Sequence, residues 1–324
     1  MVDIADIEKA ALRLDGVSIR TPLLQNFDLD QMADGRVLIK PESLQVTGSF
    51  KIRGAYNHLS QLTTAEAANG VVAWSSGNHA QGIAAAGAML DIQTAIVMPN
   101  DAPKTKVDNT RRLGGEIISY DRYTGDREAI AIELARERGA VLVPSYDHEQ
   151  IIAGQGTVGL ELAEDAIEME LPPDQVLIPC GGGGLSSGSA LALKSRLSNV
   201  DVFAVEPSNF DDTARSFEAG ERQRISNDAR SICDALQTPM PGKITFGINR
   251  RQLAGVLTVT DEEVRAAIRF AFRHLKIVVE PGGVVALAAV LSGKLDTAGK
   301  ITAIVISGGN IDVDLFTEIQ AEPN

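Results

Sequence analysis

An α/β fold, with two open, twisted sheets of mostly parallel strands flanked by helices, is predicted by three observations. Short β-rich apolar runs alternate with longer stretches of helical period, the alternation recurs as two successive series, and glycine- or serine-rich turns follow directly after several of the apolar runs. The first series opens with a strand over Val71-Val72-Ala73-Trp74, then a helix from Ala80 to Leu90 and a strand from Thr94 to Met98. A helix around Thr105 to Leu113, a strand over Glu116 to Tyr120, a helix over Asp126 to Arg138 and a strand over Val141 to Pro144 complete one compact lobe. The second series has a strand over Gln175 to Pro179, a helix from Leu185 to Leu197 and strands Val202 to Val205 and Val256 to Val259. It ends with a helix over Asp261 to Leu275 and a strand over Ile301 to Ile306. No low-complexity linker or internal repeat separates the two series.

Composition narrows the function class. A chain of 324 residues is long enough to bury a large core, and 44% hydrophobic with 23% charged residues is ordinary for a soluble globular protein. The formal charge of −13 argues against nucleic acid as a partner, because a phosphate backbone demands a basic surface. There is no apolar run of about 18 residues to span a membrane, and the acidic start Met1-Val2-Asp3-Ile4-Ala5-Asp6 is not a signal peptide. Cys180 and Cys233 show neither metal-type spacing nor a disulfide framework. A cytoplasmic enzyme is expected.

Four short segments carry the chemistry. Gly48-Ser49-Phe50-Lys51-Ile52-Arg53-Gly54 sets one lysine among small residues, where it is a candidate nucleophile; the plainer alternative is a pair of solvated charges near a helix start. Ser75-Ser76-Gly77-Asn78-His79 begins a helix, and free N–H groups at a helix start suit a carboxylate. Ser75 could equally be a cap and His79 a structural histidine. Gly181-Gly182-Gly183-Gly184 follows an apolar strand and precedes a helix, so its backbone N–H groups can converge on a phosphate, although glycine runs are also common in surface turns. Ser307-Gly308-Gly309-Asn310 closes the last strand.

In this order and register the four segments resemble the fold-type II pyridoxal-phosphate (PLP) enzymes, specifically the serine/threonine dehydratase and serine racemase family, over nearly the whole chain. The resemblance implies a tryptophan synthase β-like architecture. Residues 1–69 and 148–324 then form a large PLP-binding domain and residues 70–147 a small substrate-loop domain. It also makes Lys51 the Schiff-base residue and Phe50 its neighbour beside the pyridine ring. Asn78 is implied to contact the phenolic oxygen, Gly181, Gly182, Gly183, Gly184 and Leu185 to hold the phosphate, and Ser307 to meet the pyridine nitrogen. A serine hydroxyl cannot hold a full positive charge there as an aspartate could, which suits elimination. Ser75, Ser76, Asn78 and His79 are implied to bind the substrate. Ser76, matching the serine of serine racemases, would carry a proton on the cofactor face opposite Lys51.

The reaction so implied is β-elimination, dehydration and deamination, of a small β-hydroxy amino acid such as 3-hydroxyaspartate, serine or threonine. An amino-acid racemase acting on serine or aspartate is the alternative. Arg127 aligns with an arginine that reaches the active site in serine racemases and would pair with a second carboxylate, unless it is simply solvated at an exposed helix start. Glu206, the carbonyl of Phe210 and Asp212 match a divalent-cation site for Mg²⁺, Ca²⁺ or Mn²⁺; an acidic solvated turn is the alternative. Asp234-Ala235-Leu236, in the pocket-lining segment Ser231 to Phe246, departs from a glycine-containing family version, which leaves side-chain specificity open. Lys276 and Gln81 resemble parts of an ATP activation site, but Val46 stands where a lysine is expected, so nucleotide activation is not supported. The chain ends soon after Ser307, so no C-terminal regulatory domain is expected, and a homodimer is implied.

Overall fold

Two sheets organise the computed structural model, which describes residues 2–75, 77–102, 104–121, 124–226 and 228–322. The strands are β1 Leu24–Gln25, β2 Arg36–Pro41, β3 Val71–Trp74, β4 Thr94–Pro99, β5 Glu116–Tyr120, β6 Val141–Leu142, β7 Gln175–Pro179, β8 Asp201–Pro207, β9 Gly255–Val259 and β10 Ile301–Ile306. A six-stranded sheet runs β1-β2-β10-β7-β8-β9, and a four-stranded sheet runs β5-β4-β3-β6. Every pairing is parallel except β1 with β2. The central strands are buried on both faces, which is why β7 and β10, apart from Gln175 and Thr302, read as apolar runs without alternation.

The expected strands are in place with small changes at their ends. β6 stops at Leu142, two residues before the Pro144 expected to close it; Val143 still donates its N–H to Val72. The helix expected over Asp261 to Leu275 is α-helical only to Phe270. Its last turn, Ala271–Leu275, widens to a π-helical turn and ends at Lys276, whose φ of 60° is left-handed. Among the described residues no helix is long and apolar enough to cross a membrane.

Three helices meet where the two sheets face each other: Lys51–Leu59, Glu149–Glu168 and Gly184–Arg196. Glycines let them touch backbone to backbone. A Cβ on Gly154 would fall 2.6 Å from the Arg53 carbonyl oxygen, and one on Gly159 would fall 2.5 Å from that of Ser189. The 20-residue central helix therefore fixes the helix that begins at Lys51 against the one that follows the tetraglycine turn.

A buried charge cluster locks the first of these helices. Arg53 is fully buried, so the solvated-charge alternative does not hold for it. Its guanidinium donates to both oxygens of Glu42 at 2.8 and 2.9 Å and to both oxygens of Glu161 at 2.6 and 2.9 Å. Thr157 and the Ile19 carbonyl accept as well, so all of its donors have partners. Lys40, also fully buried, pairs with Glu161 at 2.8 Å and donates to the Thr21 carbonyl at 2.7 Å. Strand β2, the helix at Lys51 and the central helix are joined through this one cluster.

Candidate active site

Lys51 is the first residue of its helix and points into a cavity of about 580 Å³ between the two sheets. Its Nζ donates to the Ser145 carbonyl at 2.9 Å and lies 5.2 Å from the centroid of the Phe50 ring. Burial pulls its pKa down to about 8, against the opposing charge of Glu280, so far more of the amine is unprotonated near neutral pH than in an ordinary lysine. This is what a nucleophile and proton carrier requires.

The tetraglycine turn forms the cavity wall between β7 and the helix Gly184–Arg196. Gly183 has φ of 92°, a left-handed conformation. A Cβ on Gly182 would lie 2.3 Å from the Tyr146 ring, and one on Gly183 would lie 2.9 Å from Thr245 Cβ. The turn is thus held bare. Thr245 donates from its hydroxyl to the Gly182 carbonyl at 2.7 Å, and Asp147 accepts from the N–H groups of Lys243, Ile244 and Thr245, which ties the neighbouring loop to the same wall. Leu185 lines the cavity beside the turn. A bare glycine cradle at the start of a 13-residue helix fits a phosphate.

Ser307 ends β10 at the cavity, buried, with its N–H on the Gly283 carbonyl and its own carbonyl accepting from the Phe50 N–H. Asn78, at the start of helix Asn78–Leu90, donates to Glu280 at 2.5 Å and accepts from Asn310 at 2.7 Å. Ser75 lines the cavity, and its hydroxyl accepts from the Gly77 N–H at 3.1 Å. His79 also lines it, but its Nε2 lies 3.3 Å from the Val143 carbonyl. Burial, with the charge of Lys51, pushes its pKa down to about 3, so the ring is neutral and donates to that carbonyl. Ser76 lies outside the described residues. Arg127 is exposed at the first turn of helix Arg127–Arg138, lines the cavity mouth and forms no ion pair among the described residues.

Several cavity residues escaped the sequence reading. Glu280 is buried beside Asn78, and burial together with the nearby Asp234 pushes its pKa up to about 7. Its Glu280-Pro281-Gly282-Gly283 turn after the apolar run Ile277-Val278-Val279 is a signal of the same kind as the motifs that were singled out. Nothing in the sequence marks Tyr146, Lys106, Arg222 or Arg224, all of which line the cavity. Asp234, Ala235 and Leu236 line it too, and Asp234 pairs with Lys106.

Away from the cavity, Glu206 at the end of β8 accepts from the N–H groups of Thr213 and Ala214. Both Asp212 oxygens are buried without a hydrogen-bond partner. Burial pushes the Glu206 carboxyl well up, with Asp212 adding to it, and burial raises Asp212 to about 8. Two buried carboxylates with no countercharge and orphaned oxygens fit a hard cation. Among the described residues no three His, Cys, Asp or Glu side chains converge, so backbone and water oxygens would have to complete the shell.

The family described as "Pyridoxal-phosphate dependent enzyme" matches residues 15–308. An L-threo-3-hydroxyaspartate ammonia-lyase of Pseudomonas sp. is 43% identical over 314 residues, covering 97% of each chain. A serine racemase of Schizosaccharomyces pombe is 39% identical over 317 residues, covering 98% of this chain and 97% of the relative. Among solved structures, the serine racemase of maize superposes with a TM-score of 0.92 at 35% identity, covering 98% of this chain and 96% of the other.

Proposed function

The chain belongs to the family of pyridoxal-phosphate-dependent enzymes, and on that basis we propose that Lys51 attaches the cofactor and carries the substrate's Cα proton. The reaction is β-elimination from a small β-hydroxy amino acid, 3-hydroxyaspartate, serine or threonine, giving a 2-oxo acid and ammonia. When bound, pyridoxal phosphate supplies the electron sink that stabilises negative charge at Cα. The observation that carries the assignment is the placement of the Lys51 amine, with its pKa near 8, in one cavity with the glycine cradle and Ser307.

In this reading Gly181 to Gly184 and Leu185 hold the phosphate, Phe50 flanks the ring, Ser307 meets the pyridine nitrogen, and Asn78, poised by Glu280 and Asn310, meets the phenolic oxygen. The start of helix Asn78–Leu90, with Ser75 and Ser76, receives the α-carboxylate. His79 contributes by fixing that loop to Val143. Lys51 would take the Cα proton, the β-hydroxyl would leave with one proton as water so that the elimination is proton-neutral overall, and the released enamine would tautomerise to an imine that water converts to the 2-oxo acid and ammonia. Residues 1–69 and 148–324 make up the large, cofactor-holding domain and residues 70–147 the small one. Glu206, the Phe210 carbonyl and Asp212 hold a structural divalent cation, Mg²⁺ foremost. Two buried, unpaired cysteines suit a reducing cytoplasm, and exposed Phe272 and Val278 offer apolar surface to a homodimer.

Racemisation is the second reading, favoured by the likeness to the S. pombe serine racemase and by a serine in sequence at position 76, which the resemblance to serine racemases would make the second proton carrier. Assay of 2-oxo acid from serine, threonine and the 3-hydroxyaspartate isomers, with chiral analysis of recovered substrate, separates the two. Elimination should outpace racemisation; the reverse would make the racemase reading primary. Lys51→Ala should abolish both the absorbance at roughly 410 nm and the activity, and retention of both would sink the assignment.

A further inference from the structure

The chain carries 30 basic against 43 acidic residues, yet its active-site cavity is lined, besides Lys51, by four basic side chains: Lys106, Arg127, Arg222 and Arg224. The four carboxyl groups lining it are mostly engaged. Asp234 pairs with Lys106, Asp147 accepts from three backbone N–H groups, and Glu280 accepts from Asn78. Glu128, on the exposed first turn beside Arg127, forms no ion pair among the described residues. Among the described residues Arg127, Arg222 and Arg224 form none either. Three arginines facing one cavity without an ion-pair partner among the described residues mark a place for a second carboxylate beside the α-carboxylate, since the phosphate already has the glycine cradle and a helix start.

Arg222 and Arg224 are held there by their backbone. Buried Ile225 donates its N–H to the Pro239 carbonyl at 3.0 Å, pinning the segment along residues 239–241, which also line the cavity. Arg222 donates Nε to the Pro241 carbonyl at 2.8 Å. That bond orients the guanidinium while leaving its terminal N–H groups for a carboxylate, so less freedom is lost when the ligand arrives. Arg127 comes to the same cavity from the other sheet's side.

We propose that Arg222 and Arg224 are specificity-determining residues that grip the second carboxylate of a dicarboxylic β-hydroxy amino acid, selecting 3-hydroxyaspartate over serine and threonine. The assignment rests on the elimination reading above and adds to it the residues that choose the substrate.

The test measures kcat and KM of the holoenzyme for L-threo-3-hydroxyaspartate, L-serine and L-threonine, in wild type, Arg222→Ala, Arg224→Ala and Arg222→Lys. In each alanine variant the ratio of kcat/KM for 3-hydroxyaspartate to that for serine should fall about tenfold, through KM. Arg222→Lys should recover only part, because an ammonium cannot make the fork. The wild-type ratio should also fall as salt rises, a response that a purely structural arginine would not give. An unchanged ratio in both alanine variants overturns the proposal, as does an equal loss on all three substrates. A wild-type preference for threonine overturns it while leaving the elimination reading intact, whereas absence of 2-oxo acid from every substrate brings down the elimination reading itself.

Discussion

Replacing Arg53 with Met tests the buried cluster that holds the helix bearing Lys51. The substitution keeps bulk and removes the charge, leaving Glu42 fully buried with hydrogen bonds only from Thr21 and Gln45. Removing one partner of a buried ion pair costs about 3–5 kcal/mol. With about 2.1 cal/mol/K of unfolding entropy per residue, a 324-residue chain loses roughly 4–7 °C in Tm for that cost. The pH dependence supplies the sharper signature. Burial would raise the Glu42 carboxyl, but the charge and hydrogen bonds of Arg53, with Lys40, hold it below its ordinary 4.5. A depressed folded pKa contributes stability above 4.5 that is lost as pH falls through the folded value. In Arg53→Met burial dominates, the folded pKa rises above the unfolded one, and protonation then favours folding. The Tm gap between wild type and variant should therefore be largest near pH 8 and shrink toward about pH 5. Circular dichroism melts across that range read it directly. Adding Glu42→Gln to the variant should return part of the loss, because the amide carries no charge to desolvate. A variant melting within about 1 °C of wild type at neutral pH, or a gap independent of pH, would refute the account.

Two further outcomes follow from the site. Capture of pyridoxal phosphate by the apoenzyme should speed up about tenfold per pH unit as Lys51 loses its proton and level off above about 8, the value burial sets; a flat stopped-flow profile would contradict it. Chelation should lower the wild-type Tm by about 4 °C if the cation was held at about a hundred times its Kd. Asp212→Asn should abolish that response and, without metal, melt no lower than wild type, since one of two uncompensated carboxylates has gone.

Much of the cavity lining was legible because its signals are local. Lys51, the tetraglycine turn, the Ser75 to His79 loop and Ser307 each sit where a strand or turn passes into the next element, and punctuation by Gly and Ser marks such places. Arg53 was less legible, since a charged residue between Ile52 and Gly54 looks solvated until Glu42 and Glu161 arrive from elsewhere in the chain. Strand β2 and the helix Glu149–Glu168 were missed for a related reason: the strand carries Arg36 and Lys40, and the helix carries glycines whose purpose is contact with other helices. Glu280, Tyr146, Lys106, Arg222 and Arg224 reach the cavity through tertiary contacts alone, and the pairing of Arg222 with the Pro241 carbonyl has no counterpart in periodicity or spacing.

Asn78 belongs to the helix that follows β3, yet both ends of its amide are gripped from the six-stranded side, by Glu280 and by Asn310, which also donates to the Thr47 carbonyl. A rotation of the smaller sheet has its least leverage at that joint and its greatest at the far edge. Strand β5, which leads toward Arg127, lies two strands from β3, about 10 Å away. Any rigid shift of the smaller sheet would therefore displace Arg127 more than Asn78, and the Lys106–Asp234 pair, which also joins the two sides of the cavity, would resist it.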